Sequence, residues 1–293
     1  MNKILRESGE KIISQFRENG YYSVPGLLPS QKDFDQFYQK FDQLISLVQS
    51  DIRIADRLNE ASNYWKLEPG VSEYNCNAPA KYVDRNERSD KENKIYYQAS
   101  WDFINFFSTH WHTMYEEIPE LYSIHNFFRS LHLTASLFFK EMIGKIEGNF
   151  PGMEARLIHP SRPLPIILKV LKYKPALDNF TTFPHYDKGA FTMIVNNNDM
   201  EKDKLIIGGY PDDGIVKISR MQTPEMEKVA YESKTTAVII PDTTLIDVGF
   251  ELYPSPHAVL PNASERFAII AFLLVHSLGE VSKPLVRFDN DLF

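Results

Sequence analysis

Residues 183–195, FPHYDKGAFTMIV, combine the alternation of a β-strand with two ionisable side chains, His185 and Asp187. Side chains at i and i+2 of a strand point the same way, so this spacing aims His185 and Asp187 at one point and turns Tyr186 to the opposite side. Two such groups are costly among apolar neighbours unless something pairs with them, which predicts a bound group at that point. A surface strand carrying a hydrogen-bonded His–Asp pair is the plainer explanation of the same spacing.

The sequence around this stretch is rich in short β-type runs: LPIILKVLKY (164–173), FTMIV (191–195), KLIIG (204–208), GIVKIS (214–219), TTAVIIP (235–241), HAVL (257–260) and RFAIIAFLLV (266–275). Turn-forming NNND and PDDG separate them, with no helix-length periodicity in between, which predicts an antiparallel sandwich or barrel. The amino half reads differently. Apolar residues recur at helical spacing over 3–17, and the chain turns at Gly20 into a short strand, Tyr21–Val24. Ser30 is placed to cap a helix through about Gln49 with Phe34, Phe37, Phe41, Leu44 and Ile45 on one face. Two further helices are expected over 102–118, capped by Asp102, and over 124–144, carrying Phe127, Leu131, Leu137 and Phe138. Residues 60–100 read as a long irregular segment whose charged part, 84–94, is a solvated loop. Tyr64, Trp65 and Tyr74 in it could wall a pocket. The expectation is an α+β fold in a single domain, 1–293. Its parts are a mainly helical stretch over 1–150, a β-core over 155–276 and a tail over 277–293.

Composition narrows the function. Of 293 residues 43% are hydrophobic and 24% charged, enough to bury a large core. The net charge of -7, with Lys and Arg scattered, argues against a nucleic-acid partner. No apolar run approaches a membrane span, and the charged first turns lack the h-region of a secretory signal, so the sequons at Asn179 and Asn262 read as chance. The single cysteine, Cys76, excludes an internal disulfide and fits a reducing compartment, with the cytoplasm as the expected location.

A second stretch sharpens the first. YPSPHAVLPNASERFAIIAF (253–272) places His257 at the head of one strand and Arg266 at the head of the next. Two histidines and one carboxylate with open positions suit non-haem Fe(II), and a guanidinium deep in a barrel suits a carboxylate. The order LKVLKYKP (168–175), HYDKGAFT (185–192), HAV (257–259) and ERFAIIAF (265–272), with FRENGYYSVPGLL (16–28) before it, resembles the iron(II)/2-oxoglutarate-dependent dioxygenases, in particular the isopenicillin N synthase-like branch. The resemblance covers about 165–275, is thinner over 1–50, and does not extend over 55–150. It implies a jelly-roll (double-stranded β-helix) core with His185, Asp187 and His257 as the metal ligands and catalytic centre. Arg266 falls on the arginine that pairs with the distal carboxylate of 2-oxoglutarate, with Tyr173 and Thr192 as further co-substrate residues and Gly189 at the turn of the metal strand. The implied activity is oxidation of a small molecule, by default hydroxylation, using Fe(II), 2-oxoglutarate and O₂ and releasing succinate and CO₂. One departure stands out: the serine of that pattern is Ala268 here.

Three other readings stay open at this stage: an Fe(II) oxidase of the same architecture that does not use 2-oxoglutarate, a catalytically silent jelly-roll that binds a small acid or a protein, and a cupin-like metal enzyme. The remaining histidines read as structural. His110 and His112 do not share a helix face, His125, His132 and His276 are isolated, and His159 precedes a proline.

Overall fold

In the computed structural model, which describes residues 7–25, 30–65, 80–84, 94–175, 181–197, 204–208, 226–229 and 236–275, the amino half is built on capped amphipathic helices. Helix α1 (Gly9–Asn19) starts at a Ser8 cap and stops at Gly20, whose φ of 78° lets its amide return to the Phe16 carbonyl. Helix α2 (Gln31–Ser50) starts at the Ser30 cap expected from the sequence, and Asp33 completes a capping box with it. Helices α3 (Arg53–Trp65), α4 (Trp101–His110), α5 (Thr113–Glu117), α6 (Pro119–Ile146) and α7 (Met153–Leu157) follow. The helix expected over 102–118 is broken at Trp111–His112 and capped by Ser100, whose hydroxyl accepts from the Phe103 amide, rather than by Asp102. Leu137, expected on the buried stripe of α6, is 48% exposed.

The strands are β1 (Tyr22–Val24), β2 (Ala80–Asp84), β3 (Lys94–Ser100), β4 (Ile166–Tyr173), β5 (Thr182–His185), β6 (Phe191–Asn197), β7 (Leu205–Gly208), β8 (Met226–Lys228), β9 (Ala237–Pro241), β10 (His257–Val259) and β11 (Arg266–Leu273), with a helical turn α8 (Thr244–Asp247). They form two antiparallel sheets, a seven-stranded one in the order β1-β9-β6-β11-β4-β3-β2 and a four-stranded one in the order β5-β10-β7-β8. Residues 53–65, 80–84 and 94–100, in or beside the segment expected to be irregular, are therefore a helix and two paired strands. The expected strand at 214–219, Tyr74, Cys76, Asn179, His276 and the tail lie outside the described residues.

Alternation along the large sheet sorts its side chains into two layers. Ile269, Ala271 and Leu273 of β11, Leu168 and Val170 of β4, and Phe191 and Met193 of β6 join the core shared with the helices. There Phe191 stacks on Phe16 at 6.0 Å, and α6 packs against α1, α2 and α4. Each such buried aliphatic or aromatic side chain contributes roughly 1.5–3 kcal/mol. The alternate residues, among them Leu171, Ile194, Val238, Ile240 and Ala268, face Leu205, Ile207 and Val259 of the small sheet. The two sheets thus enclose an interior of their own. Among the described residues no helix is long and apolar enough to cross a membrane.

Two histidines anchor α6. The Tyr97 hydroxyl lies 2.6 Å from His125 Nε2 and the Tyr115 hydroxyl 2.6 Å from Nδ1, while His132 Nε2 lies 3.2 Å from the Leu164 carbonyl. Burial, helped by the nearby Arg129 charge, pushes His125 down to about 3, and burial pushes His132 down to about 4. Both folded values lie below the ordinary 6.5, so the unfolded chain takes up protons first as pH falls. Stability is unaffected by these groups above pH 6.5 and declines from there towards pH 4, each histidine contributing a slope that approaches about 1.4 kcal/mol per pH unit. In urea titrations between those limits, His125→Gln is expected to show a shallower pH slope than wild type. Equal slopes would mean that His125 is not held neutral.

Candidate active site

Three ionisable side chains converge at one rim of the interior. His185 and His257 are directly opposed in the β5–β10 pair, their rings 4.3 Å apart. The β5 strand bulges against β10, since Thr182 pairs with Val259 but His185 with His257. A bulge re-aims side chains, so both Thr182 and His185 face the interior although three residues apart. Pro184 is tolerated in the bulge because β5 is an edge strand that needs no second ladder of hydrogen bonds.

Asp187 is not on the strand. The strand ends at His185, and Asp187 reaches the same point from the turn that leads to β6, with carboxylate oxygens 3.5 Å from His185 Nε2 and 3.3 Å from His257 Nε2. The convergence expected from i, i+2 spacing is present, but a turn creates it. Several bonds hold that turn: Thr243 donates its amide and its hydroxyl to the Asp187 carbonyl, Thr244 its amide to the Gly189 carbonyl, and Ala190 its amide to the Leu273 carbonyl at 2.7 Å. Gly189 is required by close approach, because a Cβ there would lie 2.7 Å from both the Asp242 carboxyl and the Leu273 carbonyl oxygen. Gly189→Ala is expected to cost about 1–3 kcal/mol of stability and to weaken metal binding by displacing Asp187. A variant with unchanged melting temperature and metal affinity would show that the turn yields freely.

The ring orientation fixes which nitrogens face inward. His185 Nδ1 lies 2.7 Å from the Phe183 carbonyl and His257 Nδ1 3.2 Å from the Ser255 carbonyl. A carbonyl only accepts, so both Nδ1 atoms carry a hydrogen and both Nε2 atoms face Asp187, where they can donate to its carboxylate or, once deprotonated, offer a lone pair to a metal ion. One ligand atom from each of His185, Asp187 and His257 lies within 4.8 Å of the others, a spacing that fits a single metal ion. Burial alone would raise the Asp187 carboxyl, but the two imidazoles outweigh it and hold the group well below the usual carboxylate range. Burial likewise pushes His257 down, and the Asp187 charge overrides it and lifts it. Such a set of two nitrogens and one anionic oxygen matches non-haem Fe(II).

From this rim a cavity of about 600 Å³, the open space at its mouth included, runs between the sheets. On its large-sheet wall Arg266, 3% exposed, starts β11 and leans over the Tyr173 ring at 4.6 Å. Tyr173 pairs with Arg266 on one side and with Lys94 of β3 on the other, so the three make one cross-strand row. Lys94 was hidden in the sequence by the charged run before it, yet it is only 8% exposed and lines the cavity. Thr182 Oγ1 also faces this space, buried and with no hydrogen-bond partner among the described residues. Ala268 lines the wall one row from Arg266. Thr192, expected beside the co-substrate, is not among the lining side chains. Its hydroxyl donates to the Asp242 carboxylate oxygen at 2.9 Å, so it braces the turn beneath Asp187. Asp242 is itself held well above the usual carboxylate range by burial and then by the Asp187 charge. His110, His112 and His159 lie apart from this cluster, and His125 and His132 are buried on α6.

Two facing antiparallel sheets thus carry two imidazoles and a carboxylate at one rim, a set that could hold a metal ion. No protein-family model matches the chain, and no curated protein matches its sequence. Solved structures do match its fold, among them a putative 2OG-Fe(II) oxygenase family protein from Caulobacter crescentus, which superposes over 91% of this chain and 81% of its own with a TM-score of 0.59 and 13% identity. The dioxygenase for auxin oxidation (DAO) from rice superposes over 91% of this chain and 77% of its own, with a TM-score of 0.58 and 13% identity. A full-length protein of Neurospora crassa, in complex with alpha-KG, covers 91% and 78%, with a TM-score of 0.53 and 12% identity. The dioxygenase for auxin oxidation 1 of Arabidopsis thaliana, in its 2-oxoglutarate complex, covers 91% and 87%, with a TM-score of 0.52 and 13% identity. At such identities the likeness establishes the fold.

Proposed function

We propose that the chain is an Fe(II)- and 2-oxoglutarate-dependent oxygenase of a small molecule, its two sheets forming a double-stranded β-helix. The observation that carries this reading is the pairing, in one cavity, of a His–Asp–His set within metal reach and a buried arginine. Bound Fe(II) would supply activation of O₂ and chelation of the keto acid. His185 and His257 would offer Nε2 and Asp187 its carboxylate, each imidazole oriented by the carbonyl behind it. Arg266 would hold the far carboxylate of 2-oxoglutarate by its planar fork, with Lys94 as a second cation in the same row. The Thr182 hydroxyl, without a hydrogen-bond partner among the described residues, is a candidate for the hydrogen bond that Ala268 cannot make. Leu171, Ile194, Leu205 and Val259 line the space between with hydrocarbon and exclude water from it. The alpha-KG and 2-oxoglutarate complexes of the Neurospora and Arabidopsis proteins support this co-substrate.

Anaerobic addition of Fe(II) and 2-oxoglutarate is expected to produce a weak visible charge-transfer band, and oxygen then to yield succinate. Ala268 favours one rival, an oxidase of the same fold that needs iron and O₂ alone. The band and succinate are expected to be absent in that case, while iron still binds. Equal and negligible iron in wild type and His185→Ala would instead favour a silent binding protein.

A further inference from the structure

The two imidazoles of the site are steadied differently. The His185 ring bonds a carbonyl of its own edge strand, at Phe183. The His257 ring bonds the carbonyl of Ser255, a buried residue whose three polar groups are all engaged. The Ser255 amide donates to the Pro241 carbonyl at 3.2 Å, and its hydroxyl donates to the carbonyl of Gly20. Gly20 is the left-handed residue between α1 and β1, and a Cβ on it would overlap the Gly208 carbonyl oxygen at the end of β7. Gly208 in turn donates its amide to the Pro256 carbonyl at 2.8 Å, next to His257. Because β1 pairs with β9 of the large sheet, the α1–β1 turn touches both sheets at the segment that delivers the metal histidine. Two residues beyond Pro241, Thr243 holds the Asp187 carbonyl, so the end of β9 supports the surroundings of both ligands.

We infer that Ser255 is a positioning residue of the metal centre, through which the α1–β1 turn sets the orientation of His257. This rests on the metal-binding half of the oxygenase reading and not on the co-substrate. The bond to Nδ1 fixes the tautomer and plane of the ring, and so the direction of Nε2. A carbonyl can hold a ring in place only if it is itself held, and here the hydroxyl bond to Gly20 and the amide bond to Pro241 hold it. Without the hydroxyl the turn and the histidine lose the hydrogen bond that joins them. Such coupling is reciprocal: a turn that orders His257 for the metal is itself ordered when the metal binds, by about fivefold to 150-fold in affinity. His185, tied to its own strand, lies outside this linkage.

The test measures Zn(II) affinity and amide hydrogen exchange on the full chain. In wild type, saturating Zn(II) is expected to slow exchange over residues 16–24 by about fivefold or more beyond any slowing over 53–65. Ser255→Ala should bind Zn(II) about fivefold or more weakly and, once saturated, lose that extra slowing. Val48→Ala, a core truncation on α2, should lose stability but keep the affinity and the slowing. In Co(II)-loaded protein the two ligand rings give separate, paramagnetically shifted N–H proton signals, of which Ser255→Ala should move one and leave the other. Extra slowing that is absent from wild type or survives in Ser255→Ala, or two unmoved ring signals, overturns the inference. Wild type alone decides the first of these. If wild type binds neither metal, the inference and the oxygenase reading fall together. If metal binds with the expected exchange pattern but 2-oxoglutarate does not, the oxygenase reading alone falls.

Discussion

Iron is expected to leave the protein when any one of His185, Asp187 or His257 is replaced by alanine. The three side chains come from two strands and a turn, and each supplies one ligand atom within 4.8 Å of the others. Loss of a mere outer partner of a metal ligand costs about 10–100-fold in affinity or activity. Removing a ligand from a set of three should exceed that, leaving less than a tenth of the wild-type iron after desalting and no measurable succinate. The second readout is thermal. A metal that binds only the folded chain stabilises it by about 2.7 kcal/mol at a hundred times its dissociation constant. Mn(II) should therefore raise the melting temperature of wild type and leave the three variants where they were. Wild-type iron content in His257→Ala would remove the basis of the site, because His257 is the ligand that an inner strand of the small sheet, β10, brings to the metal.

Arg266→Gln should bind iron normally and lose 2-oxoglutarate. The guanidinium is 3% exposed and is not one of the three groups that lie within metal reach of one another. Truncating one partner of a buried, hydrogen-bonded charge pair costs about 2–5 kcal/mol, or about 30-fold to several-thousand-fold in affinity. Arg266→Lys keeps the charge but not the fork and should fall between. Titration of 2-oxoglutarate into Mn(II)-loaded protein measures both. If Arg266→Gln binds 2-oxoglutarate as tightly as wild type, the far carboxylate is held elsewhere in the cavity.

The Ser30 cap and its helix, and the strand RFAIIAFLLV, were legible because their signals are local: a hydroxyl three residues before an amide, an alternation of period two. The helix over 53–65 and the strands over 80–84 and 94–100 were not. Asn, Tyr and charges there read as irregular structure, while β3 gains its stability from pairing with β4, far along the chain. The same effect concealed Lys94, which ends a run of charges in the sequence and begins a buried strand in the fold.

What the residues determined by themselves is the chemistry available: two imidazoles, a carboxylate and an arginine in an order that resembles one enzyme family, on or beside short β-type runs. Tertiary structure decided the rest. A bulge and a braced turn, rather than one continuous strand, bring His185 and Asp187 together, and cross-strand pairing sets Tyr173 between Arg266 and Lys94. Side-chain direction follows from the nearest backbone neighbours and can be read along the chain. Which strands become neighbours depends on distant hydrogen bonds and on how two sheets close over a shared interior, and no short stretch of sequence contains that information.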